Sequence, residues 1–392
     1  AIHESPLAVP SGRTLRRVPL PDAPPLLRTP LFQAHVSAGA RIVPFGGWEM
    51  PLQYQGILAE ARAVRAACGV FDVSHMGRLW IQGPGAGPFL QHAVTADVLS
   101  LRLARARYCF ILNQRAGVID DCIVTRLAPD RFLLVCNAGN RPVVVSWLRS
   151  LATAFDVSLT DATRETAMIA VQGPSALQTV DTLTSIFTYP EKPSALRFFA
   201  SVEPGWHNAA DDPALVSRTG YAGEDGVEIV LPASRGPYLW LALLDHGATP
   251  CGLGARDVLR LEAALPLHGN DLDDATTPLE AGLERFVAEA NTQFIGRDTL
   301  ERQRRHGLTR RLVGFRATER GIPRHGCPLL SPGGATIGVV TSGGHSPTLD
   351  AAIGLGYVKP EFAPEDTPLV VDIRGRLTAA QVVPLPFYSR NR

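Results

Sequence analysis

Apolar residues recur along the chain with two spacings, which predicts a mixture of helices and strands. Between Ile57 and Val64 the spacing is that of an amphipathic helix, so a helix is expected over residues 57–68, ending at Gly69. Further helices are expected over residues 142–154, 237–244 and 255–264. Short strands are expected over residues 78–81, 109–112, 119–124, 131–136, 167–171, 214–217 and 227–231. This pattern favours lobes of mixed α and β structure.

The predicted secondary structure changes after the polar run at residues 301–305, and the remainder of the chain is expected to be nearly all β. Strands are expected over residues 312–315, 335–341, 352–358 and 369–373, with glycine and proline turns between them. Several short strands at this spacing are typical of a closed or doubled sheet. We therefore expect a separate C-terminal β-barrel or jelly roll of about 90 residues.

Residues 1–28 differ from both parts because they are rich in proline and have no sustained periodicity, which predicts a flexible leader. The segment lacks the continuous apolar core of a secretory signal. It does contain Arg13, Arg16 and Arg17 and few acids, so a remnant of an organellar transit peptide stays open. The expected location is the cytoplasm of a bacterium, with the mitochondrial matrix as the alternative.

Bulk composition narrows the class of protein. A chain of 392 residues, of which 45% are hydrophobic, is long enough for two or three packed domains. Its apolar runs are far shorter than the roughly 20 residues that cross a bilayer, so no membrane span is expected. The net charge of +1 provides no overall field to recruit nucleic acid or an anionic membrane. An anionic ligand must therefore be held by local groups.

The spacing of cysteine and histidine bears on metal binding. The six cysteines form no Cys-x-x-Cys pair, and the ten histidines have no His-x-x-x-His spacing. Because these spacings are common signatures of zinc sites, we expect no metal. Most cysteines lie in apolar contexts, which favours reduced, buried thiols.

Two adjacent carboxylates, Asp120 and Asp121, interrupt the apolar stretch at residues 116–124. Successive side chains of a strand point to opposite faces, so one aspartate is expected to face solvent or a cap and the other a cleft. Only one of the two then needs a chemical role. The alternative is a turn at Ala116 and Gly117, with an aspartate side chain bonded to the nearby backbone.

The glycine-rich segment at residues 219–229 is a candidate binding loop. Its three glycines permit a tight turn beside Tyr221, whose ring offers a flat apolar face with a hydroxyl at its edge. If Val227 and Ile229 face the core, Glu228 faces solvent or a pocket. In a pocket, its two oxygens suit the N–H groups of an amino-pyrimidine edge. A solvated strand glutamate is the alternative.

The segment at residues 251–263 reads as a glycine-bearing entry to an amphipathic helix. Arg256 and Arg260 are four residues apart and share a face, where Asp257 and Glu262 can pair with them. A guanidinium near the start of a helix can clamp a carboxylate or a polar heteroaromatic ring. Structural salt bridges explain the same residues equally well.

Two other motifs are weaker. The glycine-rich run at residues 83–87 lacks the Lys-Ser/Thr of a P-loop and the glycine spacing of a dinucleotide site, so a turn is expected there. Ser74 and His75 are adjacent, but chain neighbours rarely have the geometry of a catalytic triad, and no Gly-x-Ser-x-Gly elbow occurs. We expect structural roles for both.

Together these segments resemble the glycine cleavage T-protein family, which are tetrahydrofolate-dependent aminomethyltransferases. The likeness covers nearly everything after the leader and includes the run Gly117-Val118-Ile119-Asp120-Asp121. Its motifs lie in order at residues 28–32, 47–52, 71–77, 117–121, 171–174, 219–229, 251–263, 269–271, 277–278, 341–343 and 346–349. So many ordered matches make chance implausible.

The resemblance implies an α+β fold of three domains arranged as a cloverleaf, with folate in the central channel. Two domains are discontinuous mixed α/β lobes, and the third is the C-terminal β-barrel or jelly roll. The implied domains are residues 29–76 plus 165–273, residues 77–164 plus 274–303, and residues 304–392.

The resemblance also implies roles for individual residues. The second aspartate of the pair, Asp121, is expected to be catalytic. The expected folate-binding residues are Tyr108, Asn137, Tyr221, Glu228 and Arg256.

The chain departs from the family's usual residues in four places. Cys122 stands where leucine is common, and its position beside Asp121 is expected to be incidental. Ala222 replaces a common threonine, and the loss of one hydroxyl group there should be tolerated. His268 replaces a usual tyrosine, which bears on polarity near the channel. Residues 140–144 lack charges that relatives often carry, which bears on partner or folate contacts, although Pro142 still suits a first helical turn.

The implied reaction transfers the carbon of an aminomethyl group from the lipoyl arm of the partner H-protein to tetrahydrofolate. Its products are 5,10-methylenetetrahydrofolate, ammonia and dihydrolipoyl H-protein. One alternative is a folate-dependent demethylase on the same scaffold that acts on a small methylated donor, although no flavin-binding fingerprint precedes the folate-like region. The other is a non-catalytic folate-binding protein, which the retention of Asp121 with the folate residues disfavours.

Overall fold

The structure of the protein is a computed structural model that describes residues 25–207 and 212–390. Most of the predicted leader, residues 1–24, therefore lies outside the described residues. The end of that leader does not: Leu27–Arg28 forms a short strand that pairs in parallel with Trp48 and Glu49.

Helices and strands alternate up to residue 262, and strands dominate after residue 310. The helices are α1 (Phe32–Ser37), α2 (Ile57–Ala66), α3 (Ala86–Ala93), α4 (Arg141–Ala152), α5 (Ala176–Asp181), α6 (Gly236–Asp245), α7 (Leu253–Glu262) and α8 (Arg297–His306). The strands before α7 are β1 (Leu27–Arg28), β2 (Arg41–Phe45), β3 (Trp48–Gln53), β4 (Gly69–Asp72), β5 (Gly77–Gln82), β6 (Arg105–Leu112), β7 (Val118–Ala128), β8 (Arg131–Cys136), β9 (Ser158–Asp161), β10 (Thr166–Gln172), β11 (Phe187–Thr188), β12 (Ser201–Val202), β13 (Gly205–Trp206), β14 (Leu215–Ser217), β15 (Gly226–Pro232) and β16 (Thr249–Pro250). The C-terminal strands are β17 (Arg311–Ala317), β18 (Pro328–Leu330), β19 (Thr336–Ser346), β20 (Ala351–Val358), β21 (Pro368–Ile373) and β22 (Arg376–Val383).

Each predicted helix and strand has a counterpart, but the predicted end of the first helix is wrong. Helix α2 ends at Ala66, and Gly69 is the first residue of strand β4. A Cβ atom on Gly69 would lie 2.4 Å from Cγ2 of Val64 and 3.0 Å from Sγ of Cys251. Glycine is therefore needed there for close packing of the strand on the helix, and not for a helix cap.

The turn expected at residues 83–87 is only half correct. The chain turns at Gly83, but helix α3 already begins at Ala86. Gly85 lies against the backbone of Asp156, whose carbonyl oxygen would be 2.8 Å from an added Cβ atom. Close backbone packing explains this glycine without a bound phosphate.

Two antiparallel sheets form the body of the protein. One has the order β12-β14-β15-β10-β4-β16, with only β4 and β16 paired in parallel. The other has the order β6-β7-β8-β5-β9. Met168 on β10, Val230 on β15 and Leu133 on β8 belong to one buried apolar cluster. The two sheets therefore share a core, and side chains at its edge can come from both.

The C-terminal part is a closed barrel with the strand order β17-β20-β19-β18-β21-β22. This confirms the predicted β-barrel and decides it against a jelly roll. The barrel has its own core, which includes Phe315, Leu329, Val340 and Val371. Closure leaves no free sheet edge, which protects the barrel from edge pairing with other chains.

Two expectations from composition bear on the described residues. Five of the six cysteines are free and buried, as predicted, whereas Cys327 is half-buried. Within residues 25–207 and 212–390, no helix has both the length and the apolar character that crossing a membrane requires.

A buried polar cluster joins the start of the fold to the end of strand β4. The carboxylate of Asp72 accepts hydrogen bonds from Thr29 Oγ1 at 2.6 Å and the Ser74 backbone N–H at 2.8 Å, and His35 Nε2 lies 2.8 Å away. The hydroxyl of Tyr54 lies 2.8 Å from the other ring nitrogen of His35. Burial raises the pKa of Asp72, but its hydrogen bonds and the charge of His35 outweigh burial and hold it below its usual value.

We expect Asp72 to make stability depend on acid pH. A carboxyl whose pKa is lowered on folding stabilises the native state above its unfolded pKa of about 3.9, and this contribution is lost as the pH falls through the folded value. The difference in free energy of unfolding between wild type and Asp72→Asn should therefore be largest near pH 7 and shrink below pH 4 in urea titrations. Asp245→Asn, an exposed control, should follow wild type. A difference for Asp72→Asn that stayed constant from pH 7 to pH 3 would contradict this assignment.

Candidate active site

Side chains from both sheets line one narrow cavity. The two-residue period of a strand places Asp121, Ile123 and Thr125 on one face of β7. The cavity, of about 20 Å³, is lined by Ile123, Thr125, Leu133, Val135, Met168, Ser217, Thr219, Glu228 and Val230. It has room for about one water-sized group. Glu228 therefore faces a pocket, and that pocket adjoins the strand face that carries Asp121.

A hydrogen-bonded cluster surrounds Asp121. Tyr108 on β6 donates its hydroxyl to Oδ2 of Asp121 at 2.9 Å. Asn137, one residue beyond the end of β8, donates its side-chain amide to Oδ1 of Asp121 at 2.8 Å. The same amide nitrogen donates to Oδ1 of Asp120 at 2.9 Å. Three predicted site residues therefore lie in direct contact.

The expectation that one aspartate of the pair faces solvent is wrong for Asp120. Asp120 is fully buried, and the backbone N–H of Asn137 also donates to its Oδ2 at 2.9 Å. One amide thus bridges both carboxylates. The register shift between β6 and β7 at Ile111 and Leu112 lies just before Asp120, and Asp120 and Asp121 themselves pair in regular succession with Ile111 and Phe110.

The alternative of a turn is correct in position but not in partner. The turn before β7 is held by Asn113, whose side-chain oxygen accepts the backbone N–H groups of Arg115 at 2.8 Å and Gly117 at 3.1 Å. A Cβ atom on Gly117 would lie 1.8 Å from the carbonyl oxygen of Asp274. Close packing of this turn leaves both aspartates free of the turn itself.

Burial governs the protonation of the pair. Burial raises the pKa of Asp121, although hydrogen bonds from Tyr108 and Asn137 and the charge of His268 oppose it. Burial and the negative charge of Asp121 raise the pKa of Asp120. Two carboxylates bridged by one amide cannot both ionise at low cost, so near neutral pH the pair holds one proton more readily than none.

A second group stacks an arginine on an aromatic ring. Cζ of Arg256 lies 4.7 Å from the centre of the Tyr221 ring, and the Tyr221 hydroxyl donates to the carbonyl oxygen of Pro266. Burial lowers the pKa of Arg256, and the charge of Glu228 opposes this change. Burial raises the pKa of Tyr221, to which the charge of Asp121 contributes. The second group therefore lies within electrostatic reach of both carboxylate sites.

The loop that carries Tyr221 follows a path that requires glycine. A Cβ atom on Gly220 would lie 1.8 Å from Oε1 of Gln172, whose amide donates to the carbonyl oxygen of Thr219 at 3.1 Å. Thr219 in turn donates its hydroxyl to Oε2 of Glu228 at 2.6 Å. The loop thus fixes the Tyr221 ring and the Glu228 carboxylate together.

The two arginines of α7, Arg256 and Arg260, have different partners. This decides for each of them between a structural salt bridge and a possible role in ligand binding. Arg260 forms the structural salt bridges, with Asp257 at 2.8 Å and with Asp271 at 2.7 Å. Glu262 does not pair with either arginine, because it binds Arg65 at 2.7 Å instead. Among the described residues Arg256 has no carboxylate within 4.0 Å, so its guanidinium remains available to a ligand.

Sequence reasoning gave no role to two residues of this cluster. Asp120 was expected to be a neighbour on another face, and His268 was noted only as a departure from the family. The imidazole Nδ1 of His268 lies 3.9 Å from Oδ1 of Asp120. The two residues are far apart along the chain, and only the unusual residue type at 268 could have pointed to this contact.

The fold and the site define an enzyme with buried carboxylates between two sheets, a stacked arginine–tyrosine pair beside them and a C-terminal barrel. Within the described residues, no group of three histidine, cysteine or acidic side chains is arranged to hold a metal ion. The buried carboxylates, which accept hydrogen bonds from Tyr108 and Asn137, are the candidates for proton transfer.

Comparison with known proteins gives the family. The model of the GCVT N-terminal domain matches residues 31–291, and that of the glycine cleavage T-protein C-terminal barrel domain matches residues 310–389. The chain belongs to the glycine cleavage T-protein family, the aminomethyltransferases of the glycine cleavage system.

Individual relatives agree over nearly the full length. The aminomethyltransferase of Rubrobacter xylanophilus is 46% identical over 94% of this chain and 95% of its own length. That of Geobacillus kaustophilus is 44% identical over 93% of this chain and 99% of its own length. The crystal structure of glycine cleavage system aminomethyltransferase T from Bartonella henselae is 38% identical and superposes with a TM-score of 0.87 over 93% of this chain and 98% of that chain.

Proposed function

We propose that the chain transfers the carbon of an aminomethyl group from the lipoyl arm of H-protein to tetrahydrofolate. In this transfer, the carbon loses its bonds to the lipoyl sulfur and to the amine nitrogen and gains bonds to N5 and N10 of the folate. The two protons released from those nitrogens match those needed to form a thiol and ammonia. The products are then 5,10-methylenetetrahydrofolate, ammonia and dihydrolipoyl H-protein.

The observation that carries this proposal is the placement of Asp121. Its carboxylate is buried, is oriented by Tyr108 and Asn137, and has a raised pKa. A base of this kind can accept a proton from an attacking amine near neutral pH. The same fixed charge stabilises positive charge that develops on the transferred carbon. Asp121 thus combines orientation, proton transfer and electrostatic stabilisation.

The remaining site residues suit the binding of folate. Folate supplies two amine nucleophiles next to a flat, polar pterin ring. Arg256 and Tyr221 offer a stacked, planar surface at one side, and Glu228 offers a carboxylate inside a cavity with room for one small polar group. A pterin amino group fits that size, while the bulk of the ring would lie outside the cavity toward Asp121. We infer a central channel between the lobes on these grounds.

The relatives compared above come from bacteria, which supports the bacterial cytoplasm over the mitochondrial matrix as the place of action. The alternative activities share the scaffold and differ in their donor. A folate-dependent demethylase would accept a small methylated amine, and a binding protein would release no product.

A coupled assay separates these activities. We expect ammonia and 5,10-methylenetetrahydrofolate to form when aminomethylated, lipoylated H-protein and tetrahydrofolate are both present. H-protein without its lipoyl arm is the matched control and should give neither product. Equal rates of ammonia release with and without tetrahydrofolate would contradict the proposal, and turnover of a small methylated amine alone would favour the demethylase.

We expect Arg256→Lys to weaken folate binding about tenfold, measured as the Kd of tetrahydrofolate by titration calorimetry. Lysine keeps the charge but loses the planar fork that stacks on Tyr221, and about 1.4 kcal/mol corresponds to a factor of ten. Arg107→Lys on the exposed side of β6 is the matched control. An unchanged Kd for Arg256→Lys would remove Arg256 from the binding site.

A further inference from the structure

The histidine at position 268 lies where it can control the carboxylate pair. Its side chain is 13% exposed, and that of Asp120 is fully buried. Nδ1 of His268 lies 3.9 Å from Oδ1 of Asp120, and Nε2 lies 3.3 Å from the carbonyl oxygen of Val118. The ring therefore bridges the backbone at the start of β7 and the carboxylate two residues further along.

The carbonyl of Val118 fixes the tautomer of the ring. A carbonyl oxygen only accepts hydrogen bonds, so Nε2 must carry the proton in that contact. In the neutral ring, Nδ1 then presents a lone pair toward Asp120. A lone pair facing a carboxylate is unfavourable unless one proton lies between them, either on the carboxyl or on the ring.

Other titratable groups face the pair from each neighbouring element. They are Tyr108 on β6, Cys122 on β7, Cys136 at the end of β8 and Tyr221 in the glycine-rich loop. Burial raises the pKa of both tyrosines and of Cys136, and the hydrogen bond between Cys109 and Cys122, together with burial, raises the pKa of Cys122. All four are neutral near pH 7. Among the described residues that face the pair, His268 is the basic side chain, and it lies 3.9 Å from Asp120.

We propose that His268 and Asp120 together hold one proton as an ion pair across 3.9 Å, without a direct hydrogen bond, and that this leaves Asp121 as the ionised carboxylate of the pair. His268 is thereby a positioning residue, since it acts on Asp121 through Asp120. The shared proton cancels the charge of Asp120, so Asp121 can remain an anion despite its burial. Tyr108 and Asn137 donate to that anion and stabilise it further.

The first test is the pH dependence of turnover, and it rests on the proposed function. His268→Gln keeps a donor for the Val118 carbonyl but binds no proton. Without the charge of His268, which favours ionisation of Asp121, protonation of Asp121 becomes easier, so the acid limb of the kcat profile should move to higher pH by about one unit. A purely structural role would lower kcat at every pH and leave the limb in place.

The matched control is His246→Gln, since His246 is exposed and its Nδ1 contacts the carbonyl of Ala242 in its own helix. Its acid limb should coincide with that of wild type. An unchanged acid limb in His268→Gln would overturn the inference while wild-type turnover with both substrates still supported the proposed function.

A second test does not depend on activity. In full-length protein labelled with ¹⁵N-histidine, the spectrum should place the proton of neutral His268 on Nε2. Asp120→Asn should then shift the Nδ1 resonance of His268 and leave the resonances of His246 unchanged. A proton found on Nδ1 alone, or an Nδ1 resonance that ignores Asp120→Asn, would overturn the shared proton.

Discussion

Asp121→Asn should lower kcat for aminomethyl transfer by about 10²- to 10⁴-fold, the usual contribution of a positioned acid or base. The amide has nearly the same shape as the carboxylate. Its oxygen can accept the Asn137 amide, and the Tyr108 hydroxyl can rotate to accept its N–H. The fold and the folate Kd should therefore change little, while the negative charge and the proton acceptor are lost.

The measurement is single-turnover formation of ammonia and 5,10-methylenetetrahydrofolate, with the folate Kd determined in parallel. Asp130→Asn, at the exposed turn between β7 and β8, is the control for loss of a carboxylate at the other end of strand β7. Transfer near the wild-type rate in Asp121→Asn would remove Asp121 from its proposed catalytic role. A large loss of folate affinity would instead make it a binding residue.

Asp271→Ala should destabilise the protein by about 3–5 kcal/mol, because it leaves a buried guanidinium without its partner. The side chain of Asp271 is fully buried, and Arg260 lies 2.7 Å from its Oδ2. Thr341 and Ser342 on β19 donate hydroxyls to the same carboxylate, at 2.5 Å and 2.9 Å. Tyr357 on β20 donates to the Asp271 backbone carbonyl at 2.8 Å. Asp271 therefore links the barrel to helix α7.

Asp257→Ala provides an internal control for this prediction. Asp257 pairs with the same guanidinium at 2.8 Å, but its side chain is 55% exposed. Its removal should cost no more than about 1 kcal/mol, since exposed ion pairs contribute little. Urea unfolding followed by circular dichroism measures both variants. Similar losses for the two would contradict a role for the buried network in holding the barrel.

Periodicity missed β4, β9, β12 and β16 of the two sheets and β18 and β22 of the barrel, and it predicted the other strands of all three. Those strands alternate or form short apolar runs between glycine and proline, which are local signals. Hairpin β2–β3 and helix α3 were missed for a different reason. Pro44 and Pro51 interrupt the strand pattern of the hairpin, and Gly85 and Gly87 weaken the helical pattern at the start of α3. Tertiary packing stabilises both against their local propensity.

The roles of the site residues were predicted from the resemblance to the family, and only at positions where this chain carries the family's residue. Local patterns marked the aspartate pair but did not predict that Asp120 is fully buried, because burial of both faces of a strand depends on the tertiary packing around it. Asn137 donates to both carboxylates because strand β8 pairs with strand β7 in the sheet, and this pairing is not a local feature of the sequence. The approach of His268 crosses 148 positions of sequence from Asp120, a contact that no spacing rule contains.

The most direct test of the account is a crystal structure of the protein with tetrahydrofolate bound. We expect the pterin ring against Arg256 and Tyr221, its amino edge toward Glu228, and N5 or N10 within about 3 Å of the Asp121 carboxylate or one water away. A folate bound on the far side of either sheet, or with both nitrogens turned away from Asp121, would contradict the central claim that this buried carboxylate acts on the transferred carbon.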